Sequence, residues 1–380
     1  MRTQAALQSP AYVFPFQSEV IPVLRRAMSA NPQDARAPYY LGNLLFDWQP
    51  AEAVALWNKS TELDPKFPIT WRNLAQYYSH QNDDASRAQA IACLEKAVAL
   101  SDDYPTHFAE LDQVYQAAGV PVAKRLALLE QHQATVAKKD EGLGSLITLK
   151  TFVGKADESI TLLQGRTFSI WEGGTSFNTG EAWLNAHLVR GLQRLDAKQY
   201  PDALADFQIA LSPPPNLRAE QRGPSRQAEI SYWIGCAYAA LGDTSKAHDA
   251  WNAAIAVNLA GGAARGGGGG GGATGNPLST RGTQQFYQAL AQQKLADTAD
   301  AEKTFRDLIA SGTASLAGAG NTTSTPAQSL TPRVRTATAH YLAGLGYAGL
   351  GQKDQARQEF DAALANSPDY LSAEIARNQL

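Results

Sequence analysis

The chain has 380 residues, of which 44% are hydrophobic and 18% charged, and its formal net charge is −3 at pH 7. This composition is typical of a large folded protein and excludes a disordered one. Because there is no basic surplus to neutralise phosphates, we expect no nucleic-acid partner. No apolar run is long enough to cross a bilayer, so we expect no membrane-spanning helix.

Cysteine is scarce, with Cys93 and Cys236 the only two. They fall in separate predicted helices, so two buried thiols are expected rather than a disulfide. No histidine stands at ligand spacing from either thiol, so the sequence predicts no metal site and no cofactor.

A spacing of small and aromatic residues recurs along the chain in units of about 34 residues. Each unit has a small residue at its eighth position, a glycine at the turn, alanine at the twentieth and twenty-seventh positions, and an aromatic at the twenty-fourth. The two fullest copies are Gly235, Gly242, Ala247, Trp251 and Ala254, and Gly344, Gly351, Ala356, Phe360 and Ala363. The pattern resembles the tetratricopeptide repeat (TPR), a pair of antiparallel helices.

Small residues let two helices approach closely, and the aromatic residue is expected to fill the space between neighbouring pairs. One pair cannot bury its apolar face alone, so stacking of pairs supplies the stability. We therefore predict an all-α fold, a TPR-like α-solenoid in which antiparallel helix pairs form a right-handed superhelix.

The N-terminal residues 1–15 are assigned to the tail of an upstream repeat or to a flexible end. Ala5 and Pro10 have the spacing that closes a second helix, and residues 20–32 show the same spacing without a full first helix before it. We therefore expect the chain to be the C-terminal part of a longer protein. The alternative is a native start with a short capping helix.

Residues 16–260 are predicted to form an almost continuous TPR array. The copies that contain Gly42, Ala75 and Gly191 fit the pattern, whereas the copy around Asp112 fits poorly because an aspartate takes the small-residue place. Residues 146–163 form a degenerate unit. Two loops are predicted to interrupt the array, at residues 164–178 and, rich in proline, at residues 212–225.

Residues 261–281 contain seven consecutive glycines and are predicted to be a flexible linker. Residues 282–380 are predicted to hold two further repeats, separated by a mobile loop at residues 312–332 that is rich in Ala, Ser, Thr and Gly. The last helix, from Tyr370 to Leu380, is predicted to cap the stack.

The first helices of a TPR stack line its concave face with their positions two, five, nine, twelve and thirteen. Such a polar, aromatic and cationic row suits an extended peptide, a loop or a domain surface. The alternative is a solvated helix face without a ligand. In the first two full repeats these residues are Arg36, Tyr39, Asn43, Phe46 and Asp47, and Ile69, Arg72, Gln76, Ser79 and His80.

A clamp for a chain-terminal carboxylate is not predicted. Its two asparagine places are filled by Asn43 and Asn73. However, Tyr39, Thr106 and Glu110 occupy the places where cations would hold a carboxylate, and the glutamate would repel it.

The sequence Trp171-Glu172-Gly173-Gly174 is a further candidate contact. Its glycines allow backbone conformations closed to other residues, and the tryptophan could dock on a partner or a sugar. The favoured interpretation is that this tryptophan fills a gap between degenerate repeats.

Catalytic motifs are not found. The histidines are scattered, and His187 and His340 share the fourth position of their repeats, which is a packing site. No nucleophile elbow, paired-histidine metal motif or phosphate-binding loop occurs. We therefore expect no enzymatic activity.

The stretches YYLGNLLFDWQ and WEGG, together with ISYWIGCAYAALGD and HYLAGLGYAGLGQKDQAR, resemble the TPR region of a bacterial protein family. In that family an uncharacterised domain, similar to the β-sandwich of sugar mutarotases, precedes a long TPR array. The resemblance implies an upstream β-domain. That domain is not encoded in these residues, so its activity cannot be assigned to them.

The sequence thus predicts a scaffold that binds another protein, or the upstream domain of its own polypeptide, on its concave face. The alternative is an accessory C-terminal region of a carbohydrate-active enzyme. A cytoplasmic location is expected, and the sequence does not indicate an oligomeric state.

Overall fold

A computed structural model describes residues 15–81, 83–169, 177–219, 226–259, 277–318 and 332–380. Within these ranges the chain forms nineteen α-helices and two short 3₁₀ turns, at Ser18–Val20 and Pro215–Leu217, and no strand. The predicted all-α fold is therefore confirmed. No helix in the same ranges is both long and apolar enough to cross a bilayer.

The helices are numbered in chain order. They are α1 Ile21–Ala30, α2 Arg36–Leu45, α3 Pro50–Leu63, α4 Pro68–Ser79, α5 Asp84–Leu100, α6 Pro105–Ala118, α7 Val122–Gln131, α8 Gln133–Val136, α9 Asp140–Phe152, α10 Ala156–Gln164, α11 Thr179–Asp196, α12 Tyr200–Ala210, α13 Gln227–Ala240, α14 Thr244–Ile255, α15 Pro277–Lys294, α16 Thr298–Ala317, α17 Pro332–Gly349, α18 Lys353–Asn366 and α19 Leu371–Asn378.

The chain divides into two compact units. Unit 1 comprises Met1–Ala118 and Gln131–Gly142, and unit 2 comprises Gly119–Glu130 and Leu143–Leu380. In unit 1, α2 packs on α3 and α4 packs on α5. In unit 2, the corresponding pairs are α11 with α12, α13 with α14, α15 with α16 and α17 with α18. These antiparallel pairs are the TPR-like helical hairpins of an α-solenoid.

Local sequence signals set where several helices begin. Proline opens α3, α4 and α6, where its missing N–H is not needed. The side chain of Asp83 accepts a hydrogen bond of 2.8 Å from the Ser86 N–H and so caps α5. Asp243 caps α14 in the same way through the Lys246 N–H, at 3.1 Å.

The small residue at the eighth position lies directly against the aromatic residue of its own helix pair. A Cβ atom added to Gly235 would lie 2.3 Å from Trp251 Nε1, and one added to Gly344 would lie 2.5 Å from Phe360 Cε1. Each ring thus occupies space that a side chain on the first helix would need. The sequence predicts that the aromatic residue fills the space between neighbouring helix pairs. This contact occurs as well: the ring of Phe207 on α12 stacks on that of Trp233 on α13, with the ring centroids 6.3 Å apart.

The alanines at the twentieth position are buried. None of them has measurable exposure, because their methyl groups are enclosed between the two helices of a pair. They are Ala53, Ala90, Ala203, Ala247, Ala301 and Ala356.

The turn between the two helices of a pair adopts a left-handed backbone conformation. Gly242 has φ 83° and Gly351 has φ 74°. At the same repeat position, Lys198 has φ 62° and Ala296 has φ 67°. A residue with a Cβ is strained in the left-handed region. Two of these four turns therefore adopt the left-handed conformation without a glycine.

Two predicted loops are shorter than expected. Helix α15 begins at Pro277, inside the predicted linker 261–281, and α16 continues to Ala317, inside the predicted loop 312–332. The extension of α16 has a packing cause: a Cβ on Gly312 would lie 2.5 Å from the Ala339 carbonyl oxygen of α17. The remainder of both predicted loops lies outside the described residues.

Both cysteines are free thiols, as predicted. Cys93 is buried, and burial raises the pKa of its thiol to about 11. Cys236 is only half-buried, so the prediction that both thiols are buried was wrong for that residue.

A buried ion pair joins distant parts of unit 2. Arg125 Nη1 on α7 lies 2.8 Å from Asp369 Oδ2, in the turn before α19. The two side chains are 3% and 7% exposed, although 244 positions separate them in sequence.

We expect that replacing Gly235 by alanine lowers the free energy of unfolding by about 1–3 kcal/mol, because the new methyl group collides with Trp251. Urea unfolding of a double-mutant cycle with Trp251→Leu measures the effect. The cost should shrink when the indole has been replaced by the smaller leucine side chain. An equal cost with and without the Trp251→Leu substitution would show that the collision is not the cause.

We expect that Ala296→Gly stabilises the protein by up to about 1 kcal/mol, because relief of left-handed strain exceeds the entropic cost of glycine. Gly242→Ala is the matched control. No atom lies within 4 Å of its added Cβ, so it should destabilise through backbone strain alone. Thermal unfolding of both variants tests the pair, and destabilisation by Ala296→Gly would contradict it.

Candidate partner-binding cleft

The groove positions of the first repeat are largely occupied by contacts within unit 1. Tyr39 is 2% exposed, and burial raises the pKa of its hydroxyl. Asn43 Oδ1 accepts hydrogen bonds from Trp57 Nε1 at 3.0 Å and from Asn73 Nδ2 at 2.7 Å. These side chains hold successive helix pairs together and offer little surface to a partner.

Three other predicted residues lie closer to solvent. The Arg36 guanidinium sits over the Phe67 ring at 5.0 Å, a cation–π contact. Phe46 is half-buried, with its ring 5.0 Å from that of Trp57. Asp47 is exposed.

Arg72 of α4 and Glu110 of α6 form a bidentate ion pair. Arg72 Nε donates to Glu110 Oε2 at 2.8 Å and to Oε1 at 3.1 Å, and Nη2 also donates to Oε1. Burial disfavours the charged guanidinium, but the hydrogen bonds and the charge of Glu110 outweigh this effect and raise the Arg72 pKa. Arg72 Nη1 also lies 3.4 Å from Asn73 Oδ1.

An open cleft of about 300 Å³ lies beside this ion pair in unit 1. Its walls come from α4, α5 and α6. The lining residues are Gln76, Ser79, His80, Arg87, Glu110, Gln113, Val114 and Ala117.

The predicted residues Gln76, Ser79 and His80 therefore line one wall of the cleft. His80 Nδ1 lies 2.6 Å from the Gln76 carbonyl oxygen. Because a carbonyl oxygen can only accept, Nδ1 is the donor in this contact.

The opposite wall was missed by the sequence analysis. Gln113 and Ala117 hold the ninth and thirteenth positions of the third repeat, the same positions that Gln76 and His80 hold in the second. Asp112, at the small-residue place, made this repeat a poor fit to the pattern. Applying the groove rule to the poorly fitting repeat as well would have found both residues.

Unit 2 has an open cleft of about 230 Å³, lined by Ile255, Leu259, Gln285, Gln288, Gln292 and Thr304, but none of these residues holds a groove position of its repeat. Positions two and five of its four clearest repeats are at most 9% exposed. These residues are Asn185, Leu188, Glu229, Tyr232, Thr283, Phe286, Thr338 and Tyr341.

The inner polar groups of unit 2 are bonded to one another. Arg226 donates to Glu229 Oε1 at 2.9 Å and to Glu181 Oε1 at 3.2 Å. Thr283 and Tyr341 share a hydrogen bond of 2.9 Å between their hydroxyl groups. These contacts stabilise the packed first helices and leave the side chains unavailable to a ligand.

The remaining predicted features divide between packing and residues that are not described. His187 Nδ1 lies 2.8 Å from Asp206 Oδ1, and His340 Nδ1 lies 2.7 Å from Glu359 Oε2. Each contact ties a first helix to its second helix. In the described ranges, no group of three His, Cys, Asp or Glu side chains could hold a metal ion. Trp171 and Glu172 lie outside the described residues.

His107 lies one turn before Glu110 on α6 and is 2% exposed. Its Nδ1 has no hydrogen-bond partner among the described residues. Burial lowers the pKa of His107 to about 4, with Glu110 opposing the shift and Arg72 adding to it. Helix α6 therefore carries a buried, neutral histidine one turn before Glu110.

Residues 285–311, in α15 and α16, match the family model of the tetratricopeptide repeat. The chain is similar to YrrB, described as a TPR protein with an unusual peptide-binding site, at 17% identity and a TM-score of 0.28, over 61% of this chain and 90% of that one. It is also similar to Naa15/Naa10 bound to HypK, at 13% identity and a TM-score of 0.39, over 92% of this chain and 61% of that one.

A third similar structure is the TPR domain of P58(IPK), at 12% identity and a TM-score of 0.27, over 91% of this chain and 99% of that one. All of these TM-scores are too low to support a functional argument. The repeat fold rests on the helix pairs and on the family match.

We expect α6 to lose stability as the pH falls. The folded pKa of His107 lies below its usual value of about 6.5, so the unfolded chain binds the extra proton. Stability is therefore complete above about pH 6.5 and is lost as the pH falls toward 4. The free energy of opening should be about 2 kcal/mol lower at pH 5 than at pH 7.

Hydrogen exchange of the α6 amides at the two pH values measures this difference. The His107→Gln variant should lose most of it. An unchanged pH dependence in that variant would assign the effect to other groups.

Proposed function

We propose that the chain is a TPR interaction module that holds a partner protein in the cleft between α4 and α6 of unit 1. The partner is a separate protein or another domain of the same polypeptide. The observation that carries the proposal is the open cleft lined by groove positions of two successive repeats, Gln76 and His80 facing Gln113 and Ala117.

The lining chemistry favours an extended peptide segment. The carboxamides of Gln76 and Gln113 can each donate and accept hydrogen bonds, which matches the alternating N–H and C=O groups of a peptide main chain. Val114 and Ala117 are small and apolar, so they leave space for a side chain between the polar contacts. A concave site in which a small number of polar groups converge is typical of ligand binding.

The charges of the cleft are internally balanced. Glu110 is paired with Arg72, and Arg87 is paired with Asp84 of its own helix. A neutral or weakly charged peptide segment can therefore bind without breaking either ion pair. A strongly charged segment finds no unpaired charge of opposite sign among the described residues of the cleft.

An exposed tryptophan offers a second contact. Trp48 directly follows the groove residue Asp47 and is 84% exposed. Tryptophan is enriched among the residues that dominate protein interfaces. We propose that Trp48 is covered when the partner binds.

To test the cleft, peptides that bind the intact chain are selected from a random displayed library. Gln113→Trp should weaken their binding at least tenfold, about 1.4 kcal/mol, because the indole fills the cleft. The control is Gln133→Trp, at an exposed position on α8 of the same unit. Fluorescence anisotropy measures both variants, and peptides that bind equally to both would place the site elsewhere.

A further inference from the structure

Glu110 occupies the edge of the Arg72 guanidinium that carries the Nε and Nη2 hydrogen-bond donors. Three of its contacts with Arg72 use Nε and Nη2, the pair of N–H groups with which arginine binds a carboxylate. Glu110 lines the cleft and Arg72 does not. A ligand in the cleft therefore contacts the carboxylate of this ion pair.

The ion pair is fixed on its other side as well. Trp57 donates to Asn43, Asn43 accepts from Asn73, and the side-chain carbonyl oxygen of Asn73 lies 3.4 Å from Arg72 Nη1. This chain of contacts gives the guanidinium one anchor that does not involve Glu110. The Arg72 side chain keeps 36% of its exposure even with Glu110 bound, so solvent and small ions can reach it once Glu110 is gone.

We propose that Glu110 determines the charge selectivity of the cleft by taking the place that a ligand carboxylate would occupy on Arg72. With Glu110 present, the cleft rejects acidic groups and chain-terminal carboxylates. Without it, the preorganised guanidinium becomes a carboxylate site. This inference rests on the proposed function, because it concerns which ligands can enter the same cleft.

The test uses acetate as the probe and acetamide as its neutral isostere, titrated at pH 7 and low ionic strength into the full chain. The readout is the NMR signal of the Arg72 Nε–H group, assigned by its loss in Arg72→Met. In Glu110→Ala, acetate should shift this signal saturably, with an affinity at least about tenfold above wild type, and acetamide should not.

Glu110→Gln keeps the size of the side chain and removes its charge, so it should also gain an acetate response. This variant serves as the test if Glu110→Ala folds poorly. Glu62→Ala is the charge-matched control, because Glu62 is an exposed residue of α3 that does not line the cleft. It should behave as wild type. The Arg72→Met Glu110→Ala double variant, followed through the Gln113 side-chain amide, should lose the response.

Equal acetate responses in wild type and Glu110→Ala would overturn the proposal, and so would equal responses to acetate and acetamide in Glu110→Ala. No response in either Glu110 variant would overturn it too. The probe is independent of any partner. A failed acetate test with Gln113-dependent peptide binding would sink only the charge selectivity, and the reverse result would sink only the proposed binding site.

Discussion

In four of the described helix pairs the contact between a glycine and an aromatic ring sets the spacing, and the polar contacts at the edge of the cleft in unit 1 depend on one of them. In the first repeat, a Cβ on Gly42 would lie 2.5 Å from Trp57 Nε1. Because the indole rests on the bare backbone, its N–H reaches Asn43 at 3.0 Å. The polar contacts then continue through Asn73 to Arg72 and Glu110 at the edge of the cleft. A packing requirement thus fixes the position of the polar groups that shape the site.

The same repeat spacing produces different surfaces in the two units. In the second repeat of unit 1 the ninth, twelfth and thirteenth positions carry polar side chains that remain open to solvent, Gln76, Ser79 and His80. In unit 2 the inner positions carry groups that satisfy one another, with the Arg226–Glu229 ion pair 6% and 2% exposed. Buried charges are tolerated only when paired and hydrogen-bonded, so these residues serve packing and not recognition.

The fold could be predicted from sequence because it depends on local spacing, and close packing tolerates few residue types at the eighth and twentieth positions. The cleft could be predicted only in part. Gln76 and His80 follow from the groove rule, but Gln113 was hidden by the buried Asp112 in a repeat that departs from the pattern. Tyr39 obeys the rule and is nevertheless buried, because its exposure depends on the next helix pair, with the Phe67 ring 5.0 Å away. Spacing within one repeat carries no information about that neighbour.

The ion pair between Arg125 and Asp369 changes how unit 2 can come apart. In an open repeat array each hairpin touches only its neighbours, so the terminal hairpins fray first and melting spreads inward. Here the last turn is anchored to α7 by a contact that spans 244 positions and is shielded from water. Peeling the terminal hairpin breaks this buried ion pair, so end fraying is opposed. We therefore expect unit 2 to melt more cooperatively than an open array, and forming this contact requires closing a loop of 244 positions.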